Sequence, residues 1–332
     1  QRHRGLGFHD PVVVTSRAHI GLVRQQLDEI QCGGTVIGEP VARNTGPAVL
    51  AAALTVLLTD KDALLLVLPS DHVIIGDLNT TVLKMAEAAI AGRIVTFGVT
   101  PTYAETGYGY ILDGGATGTL NGLHHVSRFV EKPDLDVAQA LIDAGGAYWA
   151  SGISLFSAGV IASEFKRLEP ATYGAVLAAI HARRDVPDGV VLDEVAFAKA
   201  RSEPTERMIF EHSPAISLAP IAVRWDDIGA WAAVYDVNPK CGAGNVTLGD
   251  VLLMDTTNSL VRANGRLVVV VGMNDVVVVD TKDALLVTDR AHTQQVKQVV
   301  EALKSTGRSE VVSHLYHERS WGGVEDLLSK AS

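Results

Sequence analysis

The chain has 332 residues, of which 47% are hydrophobic, and it carries a formal net charge of −10 at pH 7. Its length predicts two domains, and its acidic balance argues against a nucleic-acid-binding protein, because such proteins need a basic surface. The two cysteines, Cys32 and Cys241, are far apart in sequence, which predicts reduced thiols and a cytoplasmic protein. No apolar run reaches the length of a membrane span and no signal peptide is visible, so we expect no membrane partner.

The N-terminal part of the chain alternates between predicted strands and helices. Short β-branched runs at 11–15 and 35–38 predict strands, and helical spacing of apolar residues from 17 to 30 predicts a helix between them. Further helices are expected at about 48–58 and 81–91, and a further strand at 94–99. Strands and helices that alternate with short connections predict an α/β fold with a parallel, doubly wound sheet.

A turn-rich segment, Glu39–Pro47, leads into the second predicted helix. The free amides and positive dipole end of a helix N-terminus can bind phosphates, and Arg43, Asn44 and Thr45 add side-chain donors. The segment is therefore a candidate nucleotide cradle. The alternative is that Asn44 or Thr45 only caps the helix and that Arg43 is solvated.

An unbroken apolar run, Leu64–Leu68, ends at Pro69 and is followed by Asp71 and His72. Such a run predicts a strand buried on both faces, as in a parallel sheet, and ligands bind at the carboxyl ends of such strands. A carboxylate at this edge could anchor a divalent cation that holds phosphates. The alternative is that Asp71 caps the next helix or turn.

Two segments in the middle of the chain carry patterns that suit a bound ligand. Glu105–Ile111 has glycines on both sides of Tyr108, which lets the backbone approach a ligand closely, although a glycine-containing edge strand has the same pattern. The strand at 126–133 ends in Glu131 and Lys132, which could bind sugar hydroxyls and a phosphate oxygen. The alternative is a surface ion pair that contributes little.

A pair of carboxylates, Asp226 and Asp227, lies between Trp225 and Trp231. It follows a predicted strand at 147–156 and predicted helices around 160–168 and 190–199. One of the two carboxylates could supply a second metal ligand. Alternatively, either of them caps the helix that begins near Ala230.

The pattern of the sequence changes after about Pro239. Short strands separated by Gly, Asn and Asp turns, without helices between them, predict a small β-helix-like domain. We therefore expect an α/β domain at 1–240, a β-helix-like domain at 241–308 that ends in an amphipathic helix, and a flexible tail at 309–332. The valine runs Val268–Val271 and Val276–Val279 would promote aggregation if exposed, so we expect both to be buried.

Four of these motifs occur in the order that is typical of nucleotide-sugar pyrophosphorylases: Leu68–His72, Glu105–Ile111, Phe129–Pro133 and Trp225–Gly229. With Glu39–Thr45 added, the chain resembles the bacterial mannose-1-phosphate guanylyltransferases, including the longer form that is fused to a phosphomannose isomerase. The resemblance runs from about Gly5 to Arg308. It implies a Rossmann-like nucleotidyltransferase domain followed by a left-handed β-helix that often supports oligomer contacts, so we expect a homodimer.

The resemblance also implies a reaction: mannose 1-phosphate attacks the α-phosphate of GTP and gives GDP-mannose and pyrophosphate, with Mg²⁺ held by Asp71 and Asp227. The residues that the resemblance implies for binding the nucleotide are Glu39, Pro40, Arg43, Asn44, Thr45, Asp71 and His72. Those that it implies for the sugar are Gly107, Tyr108, Glu131, Ala150, Ser151 and Gly152. Lys132 is implied near the sugar phosphate, as a catalytic residue beside Asp71 and Asp227.

The sequence departs from the family at several places. The family opens with a strand and a Gly-rich loop that cradles the triphosphate. No such segment is found. The missing strand would lie in mid-sheet, so its loss would leave the hydrogen-bonding edges of both neighbouring strands unpaired. Ala150 stands where the family has Asn, Pro204–Arg207 replaces a Ser-Ile-Asp-Tyr stretch, and His212 stands where Lys is expected. The sequence also stops where the isomerase domain would begin.

These departures leave other functions open. One is a non-catalytic homologue that binds GDP-mannose and regulates or scaffolds a partner, and another is a pyrophosphorylase for a different sugar or base. If the phosphate loop is truly absent, guanylyl transfer should be severely impaired. The metal hypothesis requires that Asp71 and Asp227 do not lie on opposite faces of the molecule.

Overall fold

The computed structural model describes residues 3, 5, 7–308, 316–319 and 322–325. The chain divides into two compact units. The large unit contains Gln1–Ser70 and Ile74–Trp225, and the small unit contains Asp71–Val73 and Asp226–Ser332. The division at 225 comes earlier than the boundary near residue 240 that the sequence predicts. None of the helices in the described part of the chain has the length and hydropathy that crossing a membrane requires.

The described residues up to Asp226 contain twelve strands. They are β1 (Val12–Ser16), β2 (Thr35–Glu39), β3 (Leu64–Val67), β4 (Val73–Ile75), β5 (Ile94–Val99), β6 (Gly109–Ala116), β7 (His124–Glu131), β8 (Ala147–Ser157), β9 (Arg184–Val186), β10 (Gly189–Val191), β11 (Ile216–Ile221) and β12 (Arg224–Asp226). Strands β4 and β12 pair with each other in a two-stranded sheet.

The helices of the large unit separate these strands along the chain. They are α1 (Ile20–Glu29), α2 (Thr45–Val56), α3 (Asn79–Ile90), α4 (Leu135–Ala144), α5 (Ala158–Leu168), α6 (Pro170–His181) and α7 (Glu194–Phe197). A short 3₁₀ helix at Arg17–His19 precedes α1, and a π-helix spans Glu206–Phe210.

The strands of the large unit form two main sheets instead of the single parallel sheet that the alternation predicts. One has the order β1-β2-β10-β9, and the other has the order β3-β8-β5-β11-β7-β6. In the six-stranded sheet, β5 and β11 are the only neighbouring strands that run parallel. The long strand β8 runs antiparallel to β3, β5 and β6, and β7 runs antiparallel to β11 and β6. The prediction of a parallel sheet is therefore wrong for the six-stranded sheet, whereas β1, β2 and β10 of the other sheet do pair in parallel.

The apolar strand β3 also differs from its prediction. It stands at the end of its sheet and pairs only with β8, and its four residues are half-buried, so it is not a central strand buried on both faces. The central position belongs to β5, whose six residues are all buried. Strand β1 likewise stands at the end of its own sheet.

Helices cover both faces of the six-stranded sheet. Phe156 belongs to a core with residues of α2, α5 and α6, whereas its neighbour Leu155 belongs to a second core with residues of α3. Successive side chains of a strand point to opposite faces, so these two cores lie on opposite sides of the sheet. This arrangement confirms the predicted doubly wound character of the fold.

In the small unit, the chain after Asp226 forms α8 (Trp231–Val237). The strands that follow are β13 (Val246–Leu248), β14 (Val251–Met254), β15 (Leu260–Arg262), β16 (Val268–Val271), β17 (Val276–Asp280) and β18 (Leu285–Asp289). Strands β13, β15 and β17 stack in parallel register, and so do β14 and β16, which is the pattern of successive β-helix coils. A Cβ at Gly249, which has a φ of +85°, would lie 2.2 Å from the carbonyl oxygen of Ala263, so the stacked turn requires glycine.

The chain then continues into a 3₁₀ helix at Arg290–Gln295 and into α9 (Val296–Ser305), where the sequence predicts the amphipathic helix. Strands β19 (Tyr316–Arg319) and β20 (Gly322–Glu325) pair antiparallel within the stretch that the sequence assigns to a flexible tail. The sequence did not predict these two strands, and the rest of that stretch lies outside the described residues.

The two valine runs differ in burial. Val276–Val279 is buried, as expected. In Val268–Val271 the expectation is wrong for alternate residues, since Val269 is 49% exposed and Val271 is 57% exposed.

Candidate functional site

The predicted nucleotide segment is a turn between the end of β2 and the start of α2. The side chain of Asn44 accepts a hydrogen bond from the backbone N–H of Thr45 at 2.9 Å, and Asn44 has a φ of 64°. Asn44 therefore does cap the helix. The guanidinium of Arg43 is not simply solvated, because its Nε and Nη2 donate to the carbonyl oxygen of Ala198 at 3.2 and 2.6 Å.

The segment at 203–208 supports this turn. The backbone N–H of Gly46 donates to the carbonyl of Glu203 at 3.1 Å, and that of Thr205 donates to the hydroxyl of Thr45 at 3.1 Å. A Cβ at Gly46 would lie 2.4 Å from Sδ of Met208. The sequence singled out Pro204–Arg207 only as a departure from the family, and its contacts give it a role in positioning the turn.

Glu39 ends β2 and opens the turn. Its Oε1 atom is shielded from solvent and has no hydrogen-bond partner. Burial raises the pKa of this carboxyl to about 7. A buried carboxyl oxygen without a donor is unfavourable by about 1–3 kcal/mol, so this atom is suited to accept a hydrogen bond from a ligand.

Two residues of the predicted sugar site, Glu131 and Ala150, converge on Gly109. Gly109 lies opposite Glu131 in the β6–β7 ladder. A Cβ at Gly109 would be 2.9 Å from Oε2 of Glu131 and 3.5 Å from Cβ of Ala150. The absence of a side chain at Gly109 thus leaves space beside the Glu131 carboxylate. The carboxylate also pairs with Lys132, whose Nζ lies 2.7 Å from Oε1.

An aromatic cluster adjoins this region. The ring of Tyr108 makes edge contacts with Trp149 at 5.3 Å and with Trp225 at 4.9 Å between centroids. The indole Nε1 of Trp149 is buried and has no hydrogen-bond partner. The sequence placed Tyr108 in the sugar site but did not anticipate that Trp149 and Trp225 would form a single cluster with it.

Ser151 and Gly152, also predicted to bind sugar, lie within β8. Ser151 is fully buried, and its hydroxyl donates to the carbonyl of Phe97 at 2.5 Å and accepts from the N–H of Ile153 at 3.2 Å. These contacts favour a structural role for Ser151 over a sugar contact. Gly152 has a φ of +70°, which a residue with a side chain rarely adopts.

The candidate metal residues belong to the small unit. Asp71–Val73 groups with the chain from Asp226 onward, and the strands that follow Asp71 and precede Asp227 pair with each other. The Asp71 side chain is 79% exposed, and its Oδ1 lies 3.8 Å from Nε2 of His72. Neither Asp71 nor Asp227 caps the helix that follows it, because the N-cap residues of α3 and α8 are Leu78 and Ala230.

The side-chain carboxylates of Asp226 and Asp227 each accept a backbone hydrogen bond that closes a short turn. Oδ1 of Asp226 accepts the N–H of Ile228 at 2.7 Å, and Oδ1 of Asp227 accepts the N–H of Gly229 at 2.8 Å. Ile228 has a φ of 51°, which is unusual for a β-branched residue and costs roughly 1–3 kcal/mol. Such strain is common at functional sites and fixes the direction of the neighbouring carboxylates.

Glu206 is a charged residue that the sequence did not select. Burial raises its pKa, and repulsion from Glu131 and Glu211 adds to the rise. The detectable signal in the sequence is an acidic residue two positions before the apolar run Met208–Phe210.

Comparison with known proteins identifies the class. The family model for nucleotidyl transferases matches residues 1–243, and the model for the MannoseP isomerase/GMP-like beta-helix domain matches residues 249–303. The chain therefore belongs to the nucleotidyl transferase family, with a Rossmann-like domain followed by a β-helix-like domain as the sequence predicts. It is a nucleotidyltransferase enzyme.

Individual relatives indicate which group of nucleotidyltransferases the chain resembles. The chain is 39% identical over 329 residues, or 98% of its length, to a xanthan biosynthesis protein of Xanthomonas campestris and covers 69% of that protein. It is 35% identical to a mannose-1-phosphate guanylyltransferase of Escherichia coli O157:H7, over 98% of this chain and 70% of the relative. A putative mannose-1-phosphate guanylyltransferase of Vibrio cholerae is also 35% identical, over 99% of this chain and 71% of the relative. The resemblance stated from the motifs is confirmed.

A solved structure of a similarly named protein also resembles this chain. The crystal structure of a mannose-1-phosphate geranyltransferase, as it is named, from Thermus thermophilus superposes with a TM-score of 0.74 at 27% identity. The match covers 88% of this chain and 84% of that one.

Proposed function

We propose that this enzyme is a mannose-1-phosphate guanylyltransferase that converts GTP and mannose 1-phosphate into GDP-mannose and pyrophosphate, and that it works in the cytoplasm as a homodimer. The observation that carries the proposal is the near full-length similarity to relatives of that name. The retention of Asp71, Glu131, Lys132 and Asp227 in their expected sequence contexts supports it.

The chemistry is a single displacement. An oxygen of the phosphate of mannose 1-phosphate attacks the α-phosphorus of GTP, and the bond from that phosphorus to the oxygen bridging to the β-phosphate breaks. Pyrophosphate leaves with the bonding electrons, and no covalent enzyme intermediate forms. The protein accelerates this step by aligning the two oxygens and by offsetting negative charge.

Asp71 and Asp227 are the residues that we propose to hold Mg²⁺. The described residues include no group of three or more His, Cys, Asp or Glu side chains that could hold a metal. Mg²⁺ does not need one, because it commonly takes one or two carboxylates and completes its shell with phosphate oxygens and water. When bound, it would supply positive charge against the phosphates of GTP and the leaving pyrophosphate.

For the nucleotide, we propose that the Glu39–Thr45 turn and His72 contact GTP. Guanine presents two adjacent N–H donors, at N1 and the exocyclic N2, and a carboxylate has two acceptor oxygens. The unpartnered Oε1 of Glu39 suits this pairing. Pro40 and Arg43 complete the turn, and the Arg43–Ala198 hydrogen bonds hold it in place.

For the sugar, we propose that Glu131 accepts hydrogen bonds from mannose hydroxyls in the space beside Gly109 and Ala150. Gly107 and Tyr108 would border that space. Lys132, which pairs with Glu131, would also attract the sugar phosphate, because its side chain is 58% exposed and can reorient.

Pyrophosphate release in the presence of GTP, mannose 1-phosphate and Mg²⁺ tests the proposal. We expect release that requires all three components, and we expect Asp71→Asn and Asp227→Asn to lower kcat at least hundredfold, equivalent to about 3 kcal/mol. Asp250→Asn is the matched control, since Asp250 is an exposed carboxylate of the same unit. No release by the wild type would overturn the proposal, and GDP-mannose binding without turnover would replace it with a binding function.

A further inference from the structure

A segment without secondary structure supports the nucleotide turn, Glu39–Pro47. Residues 201–204 belong to neither a helix nor a strand. Such a segment has no ladder of backbone hydrogen bonds to fix its place, so its contacts with neighbouring elements must do so. We call the segment Arg201–Thr205 the brace. Its two ends contact different elements of the large unit.

The C-terminal end of the brace holds the nucleotide turn. The backbone N–H of Gly46 donates to the carbonyl of Glu203 at 3.1 Å. The backbone N–H of Thr205 donates to the hydroxyl of Thr45, also at 3.1 Å. Pro204 lies between these two contacts, and its ring fixes its own φ and restricts the residue before it. A displacement of the brace therefore also moves the start of α2.

The N-terminal end of the brace is attached to α6 through Arg201. Its backbone N–H donates to the hydroxyl of Thr172 at 3.2 Å, and Thr172 is buried. Its guanidinium donates through Nη1 to Oε1 of Glu169 at 2.7 Å. The other terminal nitrogen, Nη2, lies 3.9 Å from Oε1 of Glu203 within the brace. Arg201 is thus the residue that anchors the brace.

Glu169 is a fixed acceptor for this anchor. Its backbone N–H donates to the carbonyl of Phe165 in α5 at 2.8 Å, and its carbonyl accepts the N–H of Tyr173 in α6 at 2.9 Å. Glu169 is the N-cap residue of α6, where the helix dipole favours a carboxylate. Because two helices hold the residue, its ion pair with Arg201 costs less side-chain entropy than a pair between two mobile surface side chains.

The anchoring residues are separate from the proposed ligand contacts. Neither Arg201, Glu169 nor Thr172 is among the residues that we propose to touch GTP or mannose 1-phosphate. Without the anchor, the brace can occupy additional positions, and the nucleotide turn then has its binding geometry for a smaller fraction of the time. The affinity for GTP falls in proportion to that fraction.

We propose that Arg201 is a positioning residue for GTP. Its ion pair with Glu169 holds the brace, and through the brace the nucleotide turn, in the geometry that binds the nucleotide. The inference rests on the proposed function, because it assumes that this turn contacts GTP.

Calorimetric titration of the full chain with GTP and Mg²⁺, without mannose 1-phosphate, tests the proposal. Arg201→Met removes the guanidinium and keeps an unbranched side chain. We expect it to raise the Kd for GTP about two- to fivefold, the range that one partly exposed ion pair can supply. Arg201→Lys keeps a positive charge and a donor for the single contact with Oε1, so its Kd should stay within about twofold of the wild-type value.

Arg167→Met is the matched control. Arg167 in α5 pairs with Glu164 at 2.6 Å, and the two side chains are 50% and 16% exposed. The corresponding values for Arg201 and Glu169 are 2.7 Å, 59% and 17%. The two Met variants should therefore lose similar amounts of thermal stability, whereas only Arg201→Met should bind GTP more weakly. Equal Kd values for the two variants would overturn the proposal.

A double-mutant cycle with Glu169→Gln shows whether the two side chains act as a pair. The double variant should bind GTP no more weakly than Arg201→Met alone, because the ion pair is already lost. Losses of affinity that add up in the double variant would rule out the ion pair as the cause.

Steady-state kinetics separates positioning from catalysis. Arg201→Met should raise the KM for GTP by about the same factor as the Kd, with kcat and the KM for mannose 1-phosphate unchanged. A lowered kcat would contradict a role in positioning alone. A wild type that does not bind GTP would overturn the proposed function, whereas GTP binding that Arg201→Met does not change would overturn only this inference.

Discussion

The backbone N–H of Thr205 donates to the hydroxyl of Thr45 across 3.1 Å and so joins the start of α2 to the segment that leads into the π-helix. Thr45 belongs to the turn that the sequence assigns to the nucleotide, and Thr205 precedes Glu206, whose pKa responds to Glu131. The contact therefore fixes the predicted nucleotide turn against the segment that carries Glu206.

The close packing at Gly46 predicts a specific defect. In Gly46→Ala, the added Cβ would lie 2.7 Å from the carbonyl oxygen of Glu203, which is backbone and cannot move aside easily. We expect the variant to lose about 1–3 kcal/mol of unfolding free energy, measured by urea denaturation. GTP affinity should fall as well, because the turn is displaced.

Gly174→Ala is the control for that experiment. Gly174 lies inside α6, and a Cβ there would meet nothing within 4 Å. Alanine in a helix interior is favoured over glycine, so this variant should gain about 0.5–1 kcal/mol. Equal effects at the two positions would show that the contact with Glu203 is unimportant.

The raised pKa of Glu39 predicts a pH-dependent stability. Its carboxyl has a pKa of about 7 in the folded state against an ordinary value of 4.5. The folded state therefore binds more protons than the unfolded state between these values, and stability falls as the pH rises through that window. Below about pH 4.5 both states are protonated and the penalty is absent.

Glu39→Gln removes the charge and should remove this penalty. We expect the variant to be more stable than the wild type above pH 7 by about 1–2 kcal/mol, a value reduced because the side chain is partly exposed. The two proteins should converge near pH 4.5, as measured by thermal unfolding across the range. A difference that is constant with pH would mean that Glu39 does not titrate in this window.

Local patterns anticipated much of the fold. The N-cap at Asn44, the turn at Glu39–Pro47 and the stacked short strands after residue 240 all follow from residue types and their spacing. The alternation of strands and helices along the chain could not reveal that β8 runs antiparallel to its neighbours, because a strand's own sequence carries little information about the direction of the strands beside it. The helix predicted around 190–199 is instead β10 followed by α7, since Val190 and Val191 pair with β2.

The candidate site was predictable residue by residue but not as an arrangement. Motif order selected Glu131 and Ala150, whereas their convergence on Gly109 depends on the register of β6 and β7, which shifts between Leu112 and Asp113. Glu206 and the partnerless Nε1 of Trp149 depend on tertiary burial, which one sequence does not disclose.

The buried hydroxyl of Ser151 separates a structural role from a role in sugar binding. Ser151→Ala leaves the carbonyl of Phe97 and the N–H of Ile153 without this partner in a buried setting. We expect a loss of about 1–3 kcal/mol in unfolding free energy with the KM for mannose 1-phosphate unchanged. Ser202→Ala, at an exposed position, should change neither quantity. A raised KM with normal stability would return Ser151 to the sugar site.

Ala150 gives the sharpest test of the sugar site. Its Cβ lies 3.5 Å from the position that a Cβ at Gly109 would occupy, and that position is 2.9 Å from the Glu131 carboxylate. In Ala150→Asn, a side-chain amide enters this space and can hydrogen-bond a sugar hydroxyl. One such bond contributes about 0.5–1.5 kcal/mol, so we expect the KM for mannose 1-phosphate to fall roughly two- to tenfold while the KM for GTP stays constant.

Ala150→Leu provides the matched comparison, because leucine has nearly the shape of asparagine and no amide. It should raise the KM for mannose 1-phosphate by filling the space without a hydrogen bond, and thermal melting should show both variants folded. If asparagine and leucine change the KM in the same direction and by the same factor, only volume matters at this position. In that case the sugar is not recognised through hydrogen bonds beside Glu131, and the proposed position of the mannose ring is wrong.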